Sequence, residues 1–279
     1  MTAVKQTDAN TEVVRSSARA HAPDRFYAAL FAPAKVRPDL IAAAAFDGEI
    51  AHIARQVTDP ALGEIRMAWW RDALHRAEEG AELSGSPVLD AFADVVRRHR
   101  LPLSMFSAYF DAHMDALFAD APADEAALDT QFQAIDGTPL RVSLQILTGV
   151  PDEGSRELLN DAARAAGYAR TAIELPYALA AGRSPLPATW MANAPDGAPD
   201  WRSQIPRLIR DSRSAIAAVR RQLAEKPRVF TTALLPLALI EPQFRALQRA
   251  GHEPERDIVE IAPLMRLWRV ARAHWTGSV

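Results

Sequence analysis

The sequence predicts an all-α protein built as a single helical domain, on three observations. Hydrophobic residues outnumber charged ones, 49% against 24%, which is the balance of a chain with a sizeable core. Aromatics are only 7%, so alanine and leucine, both favourable in helices, carry the apolar content. Apolar residues recur at steps of three and four along the chain, with no convincing strand pattern between them. No internal repeat, low-complexity linker or abrupt composition shift divides the chain. One domain over residues 23–279 is therefore expected, preceded by an arm, residues 1–22, read as disordered.

The first helix begins near Pro23 and Asp24, a fair N-cap, and runs through "RFYAALF" to Pro33. Pro38 and Asp39 open the second, where Phe46, Ile50, Ile53, Ala54 and Val57 form one stripe for the core. "TDP", Thr58 to Pro60, breaks that helix and starts the next, which carries Ile65, Trp69 and Ala73 on one face and Arg66, Trp70 and Leu74 on the adjoining one. "GAELSGSP" reads as a loop, and the basic end of Leu89 to Arg98 suits a helix C-terminus. Three further helical segments follow, "LPLSMFSAYFDAHMDALFAD", "APADEAALDTQFQAIDG" and "TPLRVSLQILTG". A long helix then runs from Asp152 with an interruption at Pro176. "RSPLPATWMANAPDGAPDW" is proline-rich and patternless over most of its length, a long connection of the kind that often carries function. After it, Ile205, Leu208, Ile209, Ser212, Ile216, Val219 and Leu223 line one side of a helix whose other side holds Arg207, Arg210, Arg213, Arg220 and Arg221. The chain closes on "IVEIAPLMRLWRVARAHW".

A net charge of −3 gives no overall attraction to polyphosphate, so no nucleic-acid partner is expected. With no cysteine, disulfides, thiol nucleophiles and cysteine metal sites are excluded. The longest apolar stretch, "FTTALLPLALI", is too short for a membrane span and contains a proline. The first 22 residues lack the apolar run of a secretory signal, and Asp8 and Glu12 argue against a transit peptide. The expected location is cytoplasmic, with peripheral attachment to the inner membrane left open.

The helix after Pro38 has a second stripe, Ala44, Gly48, Ala51, His52 and Arg55: small residues, which let something come close, ending in an imidazole and a guanidinium. Together with "DRFYAALFAPAKVRPDLIAAAAF", "GEIRMAWWRDAL", "QFQAIDGTPLRVSLQILTG", "GRSPLP" and "FTTALLPLAL", from about Asp24 to Leu239, this order of segments resembles the squalene and phytoene synthase family. The resemblance implies an isoprenoid-synthase-type helical bundle around a central cavity. It also implies two aspartate-rich motifs on facing helices, whose carboxylates hold Mg²⁺ ions that draw off a diphosphate. Laid on this chain, the first motif's aspartate positions fall on Ala51 and Arg55, and neither binds Mg²⁺. The second falls in "GYARTAIELPYALAAGR", where Glu174 is the sole acid. Phe46, Glu49, Arg66, Trp69, Trp70 and Asp72 carry a closer likeness to a divergent branch of the family, which includes the phytoene-synthase-derived assembly factor of respiratory complex I.

The cavity candidates are accordingly His52, Arg55, Glu49, Arg66, Trp70, Phe132, Glu174 and Arg183, with no catalytic residue assigned. His52 and Arg55 can bind a diphosphate or an anionic lipid head directly, or be an ordinary half-buried histidine and a solvated arginine. Glu49 and Asp47 project in different directions, and Glu49 pairing with a basic neighbour is the plainer reading. Trp69 and Trp70 beside Arg66 can wall an apolar pocket, although adjacent tryptophans cannot share one face. "DAHMD", Asp111 to Asp115, has metal-like spacing, but His113 is off the face of the two acids, which are expected to face solvent away from the cavity. The arginine stripe from Arg202 to Arg221 and the terminal "MRLWRVARAHW" suit an anionic membrane or acidic partner, or are solvated basic faces.

The expected function is isoprenoid or lipid binding, or assembly of a membrane complex, without metal-dependent prenyl transfer. No cofactor is then needed. The alternative is a head-to-head prenyltransferase using non-standard residues, and only that alternative calls for Mg²⁺.

Overall fold

A computed structural model describes residues 2–57, 59–78, 84–118, 121–150, 154–191 and 200–279. Thr58, the first half of the "GAELSGSP" loop, the expected helix start at Asp152 and residues 192–199 of the proline-rich connection lie outside the described residues. The described residues are mostly helical, with no strand among them.

In chain order the helices are α1 (Thr2–His21), α2 (Pro23–Ala29), α3 (Arg37–Gln56), α4 (Pro60–Glu78), α5 (Pro87–His99), α6 (Ser104–Phe118), α7 (Glu125–Phe132) and α8 (Thr138–Thr148). They continue with α9 (Arg156–Ile173), α10 (Leu175–Ala180), α11 (Ala188–Met191), α12 (Trp201–Leu223), α13 (Arg228–Leu234), α14 (Ile240–Leu247) and α15 (Pro263–Thr276). Prolines set many of the starts. Pro23, Pro38, Pro60, Pro87, Pro139, Pro176 and Pro263 each sit in the first two positions of a helix, where a missing N–H costs nothing.

Residues 1–22 are corrected by the structure: the expected disordered arm is helix α1 from Thr2. Its buried stripe is narrow, Val14, Ser17 and Ala18, and it packs along α3. The small residue Gly48 makes that approach possible, since a Cβ there would lie 2.9 Å from His21 Cβ and 3.1 Å from the Ala22 nitrogen. Part of the small-residue face of α3 therefore admits another helix rather than a ligand.

Two cores flank the centre of the molecule. One gathers α1 to α6 around an aromatic cluster, with Phe46 stacked on Phe92 at 4.1 Å and Phe106, Tyr109, Phe110 and Trp70 packed around Phe46. The other joins α9 and α12 with α8, α13 and α14. Leu208, Ile209, Ile216 and Val219 of α12 are buried here, on the predicted side. The arginines on its opposite side are largely committed. Arg207 pairs with Glu125, Arg213 binds Glu241 through two nitrogens at 3.0 Å, and Arg210 pairs with Asp211 at 3.0 Å. That stripe is an internally paired surface more than a free basic one.

Between α7 and α8 the chain makes one π-helical turn, Gln133–Gly137. Pro139 follows directly and has no N–H to give, and such a local widening of the helix turns the intervening side chains. Asp136 lies in this turn and is buried. At the other end of the centre, α9 stops at Ile173 because Pro176 cannot continue it, leaving Glu174 in the junction with α10.

Candidate functional site: an arginine-clamped cavity

The two cores enclose a cavity of about 1040 Å³ walled by α3, α6, the π turn, α9 and the segment from Glu174 to Pro185. A void of about 40 Å³ beneath it, bounded by Phe46 and Phe92, is about the size needed for a few water molecules and is too small for a lipid chain. The large cavity is the candidate site.

Small apolar residues line much of the wall, including Ala54, Ala108, Ala112, Ile135, Leu140 and Ile173. Among the carboxylates on this wall, those from α3, the π turn and the end of α9 are each held by a guanidinium. Asp47 of α3 meets Arg25 Nε at 2.9 Å and accepts a hydrogen bond from the Tyr109 hydroxyl at 3.0 Å. Asp136 takes a two-pronged bond from Arg170, with Nε and Nη2 both at 2.9 Å. Glu174 accepts from Arg55 Nε at 3.0 Å and Nη2 at 2.5 Å, and Arg170 Nη1 stands 3.9 Å from its other oxygen. Arg55 comes from α3 and Glu174 from the end of α9, so this pair ties the two facing walls together.

The electrostatics follow from the pairing. Burial alone would raise the Glu174 pKa, but Arg55 and Arg170 outweigh it and hold the carboxyl below its ordinary value. Glu174 in turn raises the Arg55 pKa, against the pull of burial. Burial works against the charge on Arg170, yet Asp136 and Glu174 more than compensate, so it holds its proton more firmly than a free arginine. His113 goes the other way: burial, then Arg170 and Arg55, lower its pKa to about 3, so it is neutral at ordinary pH.

Some polar atoms on the wall remain without a partner. His113 Nε2, Arg25 Nη1 and Arg183 Nε are all buried and form no hydrogen bond. Arg183 is otherwise anchored, donating from Nη1 to the Ala116 carbonyl at 3.0 Å and from Nη2 to the Ala54 carbonyl at 2.7 Å.

Of the residues singled out from sequence, Arg55, Glu174 and Arg183 meet on this wall. The other five lie off it. His52 packs on His21, ring centroids 4.0 Å apart, with its pKa lowered by burial and by that neighbour. Glu49 accepts a hydrogen bond from Ser17 of α1 at 2.6 Å and stands close enough to His52 to act on its charge. Arg66 is exposed on α4. Trp70 packs edge-on against Phe46 at 5.8 Å, in the aromatic core. Phe132 is buried beneath α9, so close that a Cβ on Gly167 would fall 2.3 Å from its ring. Asp111 and Asp115 are exposed as expected, but they stand on the cavity's rim rather than away from it.

Sequence reading leaves Glu174 as a solitary acid, weighs Asp47 only beside Glu49, and misses Asp136 and Arg170. One signal for Arg170 was available, because it precedes Glu174 by four residues and so shares its helical face. Nothing local marks Asp136, whose orientation depends on the π turn.

These donors do not fit a Mg²⁺ cluster. Mg²⁺ takes near-octahedral oxygen ligation and leans on carboxylates free to bind it, whereas each inner acid here already accepts from a guanidinium or a hydroxyl. Among the described residues no group of three or more His, Asp or Glu side chains is arranged to hold a metal.

Comparison with known proteins agrees with the architecture. No curated protein matches the sequence. Among solved structures, squalene synthase HpnC from Alicyclobacillus acidocaldarius superposes with a TM-score of 0.66 at 17% identity, covering 96% of this chain and 94% of its own. A dehydrosqualene synthase crystallised with a ligand gives a TM-score of 0.71 at 13% identity, covering 98% and 99%. At such identities the likeness speaks for the all-α isoprenoid synthase fold. The squalene/phytoene synthase family profile matches residues 18–269, nearly the whole chain, and the protein therefore belongs to the squalene/phytoene synthase family.

Proposed function

We propose that this chain binds an isoprenoid or related lipid in its central cavity and does not carry out metal-dependent prenyl transfer. One observation carries the reading: the positions that face each other from α3 and α9 are closed by the Arg55–Glu174 pair, with Arg170 bridging Glu174 and Asp136. A guanidinium within hydrogen-bond distance of the carboxylate repels a divalent cation and uses the lone pairs the cation would need. A long apolar chain fits the alanine-rich wall.

A scaffold or assembly role is a second reading, favoured by α4. Leu62, Ile65 and Trp69 form an exposed stripe there, beside charges of both signs at Glu64, Arg66 and Asp72, as a protein partner would require.

The test is paired. Purified protein is extracted and its lipid identified by mass spectrometry, and separately it is incubated with farnesyl or geranylgeranyl diphosphate and Mg²⁺. A recovered prenyl chain with no released product supports the reading. Turnover that a chelator abolishes would restore the prenyltransferase, and a cavity that takes up no prenyl chain would remove the binding role.

A further inference from the structure

Helix α15 carries apolar side chains on two sides, and the fold uses one. Val270 and Ala273 are buried against the 3₁₀ turn Leu235–Leu239 and Ala28 of α2. On the other side Leu264, Trp268 and Trp275 are 81%, 54% and 71% exposed. Spaced i, i+4, i+11, they fall within about 40° of each other around the helix. Leu267 and Met265 flank them and are also exposed. A stripe with two tryptophans in water is larger than scattered surface residues account for.

Within α15 itself the charged side chains beside this stripe are all basic. No acid occurs from Ile261 to Val279, while Arg269 and Arg272 place their guanidinium carbons 5.2 and 6.0 Å from the Trp268 ring. Arg245 of α14 adds to the group, its own charge partly offset by Glu241 at 3.6 Å. Burial, and then the proximity of Arg245 and Arg272, push the Arg269 pKa below its ordinary value, and its Nε has no partner. Glu241 relieves this crowding of positive charge only in part. Helix α4 offers the contrast, since its exposed Trp69 stands among charges of both signs.

We infer that the outer face of α15 docks on an anionic phospholipid bilayer. Leu264, Trp268 and Trp275 enter the boundary between headgroups and acyl chains, the depth that tryptophan favours, and Arg245, Arg269 and Arg272 meet lipid phosphates. Arg266, on the opposite side of the same helix, and the exposed Ile258 just before it line the cavity instead. The docking stands apart from the cavity reading, because it rests on residues that do not depend on what the cavity holds.

Co-sedimentation of the full chain with phosphatidylcholine vesicles, with and without phosphatidylglycerol, tests it. Binding is expected to the anionic vesicles and to weaken with salt. Leu264→Ala with Trp268→Ala should weaken it at least about tenfold. Arg269→Gln or Arg272→Gln should each cost about fivefold on the anionic vesicles. The exposed Trp69→Ala serves as the matched control and should leave binding unchanged, and unaltered thermal unfolding of the α15 variants shows that they fold. Absence of binding, equal binding to neutral vesicles, an effect of Trp69→Ala equal to that of Trp268→Ala, or a dimer dispersed by the α15 substitutions would each overturn the inference. None of these results would alter lipid recovered from the cavity by extraction, so the two proposals fail separately.

Discussion

Breaking the Arg55–Glu174 pair should loosen the two walls of the cavity by an amount the structure lets one work out. Opposite charges about 4 Å apart attract by about 4 kcal/mol at an effective dielectric of 20. The side chains are 30% and 25% exposed, and both lose water on folding, so the net coupling is discounted to about 1–3 kcal/mol. Arg55→Met leaves Glu174 with Arg170 at 3.9 Å, and Glu174→Gln leaves Arg55 beside a neutral amide. Each single substitution should cost about 2–3 kcal/mol, and the double substitution less than their sum by the coupling, because it leaves no stranded charge. Urea unfolding of the four proteins at neutral pH measures this. The Glu174 carboxyl is held below its ordinary value, so its contribution is complete above the unfolded pKa and disappears as pH falls through the folded one. The coupling should therefore shrink in acid. An additive cycle, or a coupling indifferent to acid, would refute the electrostatic clamp.

His113 gives a second pH signature. Its folded pKa is about 3 against 6.5 in the unfolded chain, so below pH 6.5 the unfolded state takes up a proton that the native state refuses. Stability should fall as pH drops across that window, by up to about 1.4 kcal/mol per pH unit, and His113→Phe should flatten the part above pH 5, as read by thermal unfolding in a pH series. Gly167→Ala forces a methyl group into the Phe132 ring and should destabilise by about 1–3 kcal/mol in urea, with Phe132→Leu restoring part of the loss. Gly48→Ala presses on the α1–α2 junction at His21 and Ala22, and should raise the rate at which a protease cleaves within α1, with a loss of about 1–3 kcal/mol.

Much of the fold was legible because prolines and apolar spacing are local signals. The starts at Pro23, Pro60 and Pro176 and the core face of α12 all follow from them. Helix α1 was missed because its buried stripe, among the side chains described, is Val14, Ser17 and Ala18, too narrow and too small-sided to stand out from a polar arm. The site was harder. Ala51 and Arg55 are where the resemblance places the family's aspartates, and that neither is an acid can be read off the chain. That Arg55 reaches Glu174, 119 residues away, could not, nor could the rotation that buries Asp136 at the π turn. His52 misled for the same reason: it is one residue from Ala51, and on a helix one residue turns a side chain by about 100°, here toward α1.

The central claim is that arginines occupy the place of a magnesium cluster, and the most direct measurement is calorimetric. Binding of the unreactive thio-analogue of farnesyl diphosphate is titrated in the presence of Mg²⁺ and again with a chelator. The same affinity is expected in both, with Mg²⁺ alone giving no heat of binding. Affinity that appears only with Mg²⁺, and is lost in Asp136→Asn or Glu174→Gln, would contradict it.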